Sequence, residues 1–193
     1  MTDGETRDLE SIHERMTRRE RVLRDQADSL RDAYARNIRS PLAVIDIESN
    51  GLAHLTYPIE VGYAIGSGME PSIIGSMLVK PRSSWDTTTA ADAKNINGIN
   101  PEDLEDAMDA DEVCDLLDRL LSGRNVICDG GDHDSYWMSR LYEGRVPDFN
   151  LRAPEAEQAE AIARMRSATS LVHRAGPDAV WLYRAIRINR SDA

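Results

Sequence analysis

Two acidic side chains of this chain lie where a charge is energetically costly. Asp46 and Glu48 fall within an apolar, β-branched segment that predicts a buried strand over residues 42–47, followed by the turn residues Ser49-Asn50-Gly51. Side chains two apart on a strand point the same way, so both carboxylates would project together. They would repel each other unless a cation lay between them, and hard divalent ions with oxygen ligands are the ordinary solution. The pair therefore predicts a metal site.

The same Asp-x-Glu pattern occurs at Asp8 and Glu10 and again at Asp103 and Glu105. Both of these pairs lie in charged stretches that predict helices, where a solvated helix face explains them. The pair at residues 46 and 48 differs because it lies within an apolar strand.

A third acid comes from residues 125–138, which predict a short strand, a glycine turn and a helix. Asp134 is preferred, because it lies in the first turns of a helix whose apolar residues recur at helical spacing. Asp132 suits the N-cap of that helix, and Asp129 suits the last residue of the strand. Either of them could still replace Asp134 as a ligand.

The last element contains His173 and, five residues later, Asp178. Gly176-Pro177 marks the start of a helix there, since proline suits the first helical position. A histidine before a helix is more often structural than functional, but its combination with the earlier acids indicates chemistry.

These motifs resemble those of the DEDDh 3′-5′ exonucleases, the proofreading-exonuclease group with a ribonuclease H-like fold. The resemblance spans residues 41–189 and includes the connecting segments 57–62 and 97–104. Two features depart from the family pattern: many members carry a histidine where this chain has Asn97, and Ser49-Asn50-Gly51 replaces the usual Thr-Gly. Neither departure removes an implied metal ligand, so both concern contacts to the substrate.

The resemblance implies hydrolysis of phosphodiester bonds with two Mg²⁺ or Mn²⁺ ions, about 3.5 to 4 Å apart. The implied metal ligands are Asp46, Glu48, Asp134 and Asp178. His173 would accept a proton from the attacking water, because imidazole titrates near neutral pH. The expected product is a nucleoside 5′-monophosphate.

Contacts to the substrate are also expected. Aromatic side chains could stack on terminal bases, a contact worth about 1 to 3 kcal/mol per base. By position in the sequence or in the family motifs, the residues expected to bind substrate are Gly51, Leu52, Trp85, Asn97, Tyr136 and Arg174, with Phe149 a weaker candidate. Trp137 and Trp181 are instead expected in the core.

The charge of the chain limits the substrate. The formal net charge of −11 is unusual for a protein that binds nucleic acid, since phosphate contacts favour a basic surface. The excess of acids lies above all in residues 101–150, whereas the later segment supplies several arginines, including Arg166 and Arg174, as possible phosphate contacts. A short or single-stranded RNA or DNA, held mainly by metal ions, fits this charge better than a long duplex.

Residues 1–40 predict an amphipathic N-terminal helix, and residues 41–193 predict the exonuclease domain. Apolar residues recur every seven positions from Leu9 to Leu30, but the partner series contains Arg19 and Gln26. The helix is therefore expected to dock on the domain or to form a weak homodimer seam. It ends at Ser40-Pro41, since proline disfavours helix in the residue before it.

A cytoplasmic location is expected, because the sequence has neither a signal peptide nor an apolar stretch long enough to span a membrane. The coarse order of elements predicts an α/β fold: three antiparallel strands lead into a mixed sheet with helices on its faces. The strand at 125–128 should lie beside the strand at 42–47, which would bring Asp134 near the first pair of acids.

Two other functions fit parts of this pattern. The same fold with an inactive site could serve as a binding module, but four mutually repelling carboxylates would then cost stability without a compensating metal. A phosphodiesterase acting on dinucleotides or short oligonucleotides would suit the acidic composition.

Overall fold

The computed structural model describes residues 41–51, 56–86, 94–169, 171 and 173–189. The predicted N-terminal helix over residues 1–40 and the predicted substrate contact Leu52 lie outside the described residues. Both stay predictions, as does the domain boundary at residue 40.

Six strands and five helices are formed by the described residues. The strands are β1 (Leu42–Ser49), β2 (Pro58–Gly66), β3 (Ile73–Lys80), β4 (Met108–Asp109), β5 (Asn125–Ile127) and β6 (Asn150–Arg152). The helices are α1 (Lys94–Asn97), α2 (Ala110–Leu121), α3 (Asp132–Tyr142), α4 (Ala156–Ala168) and α5 (Ala175–Asn189), with a 3-10 turn at Pro101–Leu104.

The strands form one mixed sheet in the order β4-β3-β2-β1-β5-β6. Strands β1, β2 and β3 are antiparallel neighbours, whereas β5 runs parallel to β1 and β6 runs parallel to β5. The predicted α/β fold, with a mixed sheet flanked by helices, is confirmed. The predicted pairing of the strand at 125–128 with the strand at 42–47 is also confirmed, as the pairing of β5 with β1. Strands β4 and β6 were not predicted, because two or three residues are too few to show an alternating pattern.

Strand β1 is buried on both of its faces, which explains its nearly continuous apolar sequence. Ala43, Ile45 and Ile47 belong to the larger core cluster, which also contains the buried residues of α2 and α3. Val44 lies on the opposite face, in the cluster that includes the apolar side of α5. Since side chains alternate along a strand, Asp46 shares the α5 face with Val44.

Helix α5 begins directly against strand β2 at Gly62. A Cβ atom at this position would lie 2.0 Å from the carbonyl oxygen of Ala175, far inside ordinary contact. The obstruction is backbone, which cannot rotate away as a side chain can. Gly62 therefore permits the close approach of β2 to the helix that carries Asp178.

None of the described helices combines the length and the apolarity that a membrane span requires.

Gly62→Ala is expected to destabilise the protein by at least about 2 kcal/mol, because inserting a methyl group into a packed contact forces the backbone to shift. The same shift should displace the start of α5 and reduce activity. Thermal unfolding followed by circular dichroism measures the first effect. Gly68→Ala is the matched control, since a Cβ there has its nearest neighbour at 3.6 Å. Equal melting temperatures for the two variants would contradict the close contact.

Candidate metal and active site

The two carboxylates of β1 lie at the centre of an acidic cluster. Burial is the largest cause that raises the pKa of Asp46 well above its usual value, followed by the negative charges of Asp134, Glu48, Asp129 and Asp178. The cluster thus contains the four predicted metal ligands and a fifth acid. Such a group of carboxylates is unfavourable in the absence of a cation.

Asp134 lies in the first turn of α3 and is buried. Its Oδ2 accepts a hydrogen bond of 2.9 Å from the backbone N–H of Gly130. A Cβ atom on Gly130 would lie 2.2 Å from Asp134 Oδ1, so the glycine leaves the space that this carboxylate occupies. Burial is the main cause that raises the pKa of Asp134 to about 6, whereas the hydrogen bond from Gly130 lowers this pKa.

The other two aspartates of this region are placed differently. Asp132 is exposed and is the first residue of α3, whereas Gly131 occupies the N-cap that was predicted for Asp132. Asp129 follows β5 and forms an ion pair with Arg166 of α4. Of the three candidates, Asp134 and Asp129 thus contribute charge at Asp46.

The start of α5 supplies the remaining two predicted residues. Glu48, His173 and Asp178 each place a potential ligand atom within 4.8 Å of the others. Asp178 is buried in the first turn of α5, and His173 is exposed two residues before the helix. His173 adopts a φ of 55°. This left-handed conformation is uncommon for a residue other than glycine, and such conformations occur often at functional sites.

Glu48 is held from two sides. Burial is the largest cause that raises the pKa of Glu48 to about 7, followed by the charge of Asp178, while a hydrogen bond from Asn97 lowers it. The buried Asn97 side chain also donates to the carbonyl of Ser49 at 3.2 Å and accepts from the N–H of Ile99 at 3.1 Å. Asn97 therefore fixes the end of β1, and its predicted contact with substrate stays a prediction.

Glu60 lies near the site, and no role was predicted for this residue from the sequence. Its carboxylate is almost fully buried and accepts hydrogen bonds from Arg174 Nε at 2.9 Å, Arg174 Nη2 at 3.0 Å and Ala175 N at 3.1 Å. It thereby ties β2 to the first residues of α5, next to His173. The signal was present in the sequence, because Glu60 interrupts an apolar strand just as Asp46 does.

The remaining predicted substrate contacts have mixed outcomes. Trp85 was expected to bind substrate, but only 4% of it is exposed and its ring stacks on Tyr57 with 5.1 Å between the ring centroids. The prediction for Trp85 is wrong, because the loop folds this indole into the core and leaves it no free face for a base. Tyr136 is half-buried against the larger core cluster. Gly51 lies just after β1, beside Thr56.

Phe149, the weaker candidate, is buried edge-on against Tyr142 and is also a core residue. Arg174 is engaged by Glu60, and 41% of its side chain is exposed. The predicted substrate contacts of Arg174, Tyr136 and Gly51 stay predictions.

The donor atoms of this cluster suit a hard divalent cation. Carboxylate oxygens are the ligands that Mg²⁺ and Mn²⁺ prefer, and an imidazole is also present. Burial is the first cause that raises the pKa values of Asp46, Glu48 and Asp134, and the negative charges of neighbouring carboxylates raise them further. The ionised cluster would carry an excess of negative charge. A bound cation would relieve this excess, so the residues fit the predicted metal.

The metal-free protein is expected to lose stability as the pH rises from about 5 to about 8. The pKa values of Glu48 and Asp134 are raised to about 7 and about 6 in the folded chain. The folded chain then keeps protons that the unfolded chain has released. This contribution to stability is complete below the unfolded values near 4 and disappears as the pH passes through the folded values.

Melting temperatures measured in EDTA across this pH range test the expectation, with Glu48→Gln as the comparison. The variant should show a smaller decrease, and Mg²⁺ or Mn²⁺ should restore stability to the unmodified chain at pH 8. A melting temperature that rises with pH in EDTA and does not change when metal is added would rule out this link between stability, protonation and metal binding.

No family model and no curated protein sequence matches this chain. Solved structures do match it, at low sequence identity. The nuclease domain of 3′hExo, described as a DEDDh family member and bound to rAMP, has a TM-score of 0.60 at 14% identity, covering 80% of this chain and 94% of that domain. Exonuclease X with a 5′-overhanging duplex DNA has a TM-score of 0.57 at 14% identity, covering 79% of this chain and 92% of that chain.

Exonuclease I of E. coli, in complex with a dA16 oligonucleotide, has a TM-score of 0.61 at 13% identity, with 79% of this chain covered. The match spans only 41% of the exonuclease I chain. These likenesses agree with the resemblance that the motifs gave, and they extend it to the arrangement of the backbone. The described part of the chain has the ribonuclease H-like fold of the DEDDh exonucleases.

Proposed function

We propose that the protein is a metal-dependent 3′-5′ exonuclease that hydrolyses single-stranded or short RNA or DNA to nucleoside 5′-monophosphates. The observation that carries this proposal is the convergence of Asp46, Glu48, Asp134 and Asp178 at one end of β1, with His173 beside them. Three separate parts of the chain supply these residues. The exonuclease fold of the structural neighbours supports the same activity.

Asp46, Glu48, Asp134 and Asp178 would hold Mg²⁺ or Mn²⁺, two ions in the proposed mechanism. When bound, these ions would activate a water molecule and stabilise the charge on the leaving 3′ oxygen. Glu48 and Asp178 lie next to the imidazole of His173. His173 is exposed, so it can reach a water molecule at the mouth of the site and accept its proton.

The other residues of the site would hold these groups in place. Asn97 restrains the Glu48 carboxylate, and Glu60 anchors the segment that carries His173. A group that is fixed before the substrate binds loses little energy to reorganisation during the reaction.

A phosphodiesterase restricted to dinucleotides and very short oligonucleotides is a second candidate. Exposed acidic residues such as Glu105, Asp106 and Glu112 favour it, because exposed negative charge repels a long polyanion. The net charge of −11 acts in the same direction.

Product analysis over a series of chain lengths tests both candidates. Unlabelled RNA and DNA from two to about 20 nucleotides are incubated with Mg²⁺ or Mn²⁺, and the products are separated by chromatography. The exonuclease should release nucleoside 5′-monophosphates from every length of at least one polymer. Release from the shortest substrates alone would favour the second candidate, and 3′-monophosphates would contradict both.

A further inference from the structure

One arginine outside the predicted site forms an ion pair with the acidic cluster. Arg166, in the last turn of α4, donates to Asp129 Oδ2. Only 10% of the Asp129 side chain is exposed, whereas 51% of the Arg166 side chain is exposed. The pair thus joins a buried carboxylate of the cluster to a cation at the surface.

The guanidinium of Arg166 is also fixed by an aromatic ring. Its central carbon lies 5.9 Å from the centroid of the Trp181 ring in α5. An arginine held by a carboxylate and an indole has lost much of its conformational freedom already, so little more is lost when it binds a ligand. The arrangement resembles a preorganised binding group more than a solvated surface residue.

Most donors of this guanidinium remain available. A guanidinium has five N–H donors, and within the described residues Arg166 donates one hydrogen bond, to Asp129. Arg174, the other arginine near the carboxylates, differs because two of its nitrogens donate to Glu60. Arg166 is therefore the better placed of the two to form a forked pair with a phosphate.

The charge balance of the cluster favours such a role. Two divalent ions would balance the four proposed ligand carboxylates, and Arg166 pairs with Asp129 while keeping further N–H donors for a phosphate. The phosphates of an incoming strand still need a cation near the site, because the chain as a whole is acidic. An exposed guanidinium beside the carboxylates would meet that need.

We propose that Arg166 binds a phosphate of the nucleic acid strand at the rim of the site, held in position by Asp129 and Trp181. The inference rests on the proposed function for its ligand, a single-stranded phosphodiester. Arg166 acts in binding and does not take part in the proton transfer assigned to His173.

Equilibrium binding of a fluorescent single-stranded oligonucleotide to the full chain tests this role without turnover. Fluorescence anisotropy is measured with Ca²⁺, which takes oxygen ligands, after a gel has verified that the oligonucleotide stays intact. Arg166→Ala should raise the Kd about tenfold, the size expected for a charged hydrogen bond. Arg166→Lys should give an intermediate loss, because lysine keeps the charge without the fork.

Arg164→Ala is the matched control, because it removes the same charge from the same helix at a side chain that pairs with Glu160. It should change the Kd less than threefold. The salt dependence gives a second measurement: losing one phosphate contact should reduce the slope of log K against log salt by about 0.7 for a single strand. Equal Kd values and equal slopes for the two alanine variants would overturn the proposal.

Two further results separate this proposal from the proposed function. If Arg166→Ala fails to fold, Arg166→Gln replaces it, since glutamine keeps a hydrogen bond to Asp129 without the charge, and the same loss of affinity is expected. Arg166-dependent binding without hydrolysis in Mg²⁺ or Mn²⁺ would reject the exonuclease and support the phosphate contact. Hydrolysis with binding that is insensitive to Arg166 would reject the phosphate contact alone.

Discussion

Asp46→Asn should reduce the rate of oligonucleotide hydrolysis by at least about 10³-fold, because a divalent ion contributes several kcal/mol to such a reaction and each 1.36 kcal/mol is a factor of ten. The charges of Asp134, Glu48, Asp129 and Asp178 all raise the pKa of Asp46. Its carboxylate therefore lies where the proposed ligands converge. The asparagine has nearly the same shape but removes the charge that holds the cation. Initial rates in saturating Mn²⁺ measure the effect.

The same substitution makes an unusual prediction for stability. In EDTA, Asp46→Asn should unfold at the same temperature as the unmodified chain or at a higher one. The substitution removes a partly buried negative charge that the neighbouring carboxylates repel. Asp132→Asn is the control, since Asp132 is exposed at the start of α3. A lower melting temperature for the metal-free Asp46 variant would contradict the account of the cluster.

His173→Ala is expected to lower the hydrolysis rate by about 10² to 10⁴, the usual contribution of a general base. Metal affinity should change little, because four carboxylates remain. The exposed His133, next to Asp134, provides the control substitution His133→Ala.

Calorimetric titration with Mn²⁺ separates the two roles that His173 could have. Its imidazole lies within 4.8 Å of ligand atoms on Glu48 and Asp178, close enough to coordinate a metal itself. A loss of metal affinity of more than about tenfold in His173→Ala would reassign His173 as a ligand. An unchanged rate of hydrolysis in His173→Ala would remove His173 from the mechanism.

The sequence was informative where charged residues interrupted the apolar strand β1. Asp46 and Glu48 were predictable because acids are rarely tolerated in a buried strand, and the parallel neighbour β5 followed from the order of elements. Glu60 carried the same signal, but its partner Arg174 lies 114 residues away. A single sequence does not reveal such a pairing.

The incorrect and missed predictions also have physical reasons. Trp85 was expected to contact substrate, yet its ring packs against Tyr57 and Arg140, which reach it from other segments of the chain. The ion pair between Asp129 and Arg166 depends on where α4 packs, and no local pattern encodes that position. Local sequence thus identified the carboxylates, whereas the residues that hold them depend on tertiary structure.

The most direct test of the account is an assay with 5′-labelled single-stranded RNA and DNA in Mg²⁺, Mn²⁺ or EDTA, alongside Asp46→Asn. The proposed exonuclease should produce a ladder of products that shorten from the 3′ end, that require the metal and that are absent with the variant. Cleavage that persists in EDTA or in Asp46→Asn would contradict it, and so would a complete lack of cleavage of every oligonucleotide and dinucleotide.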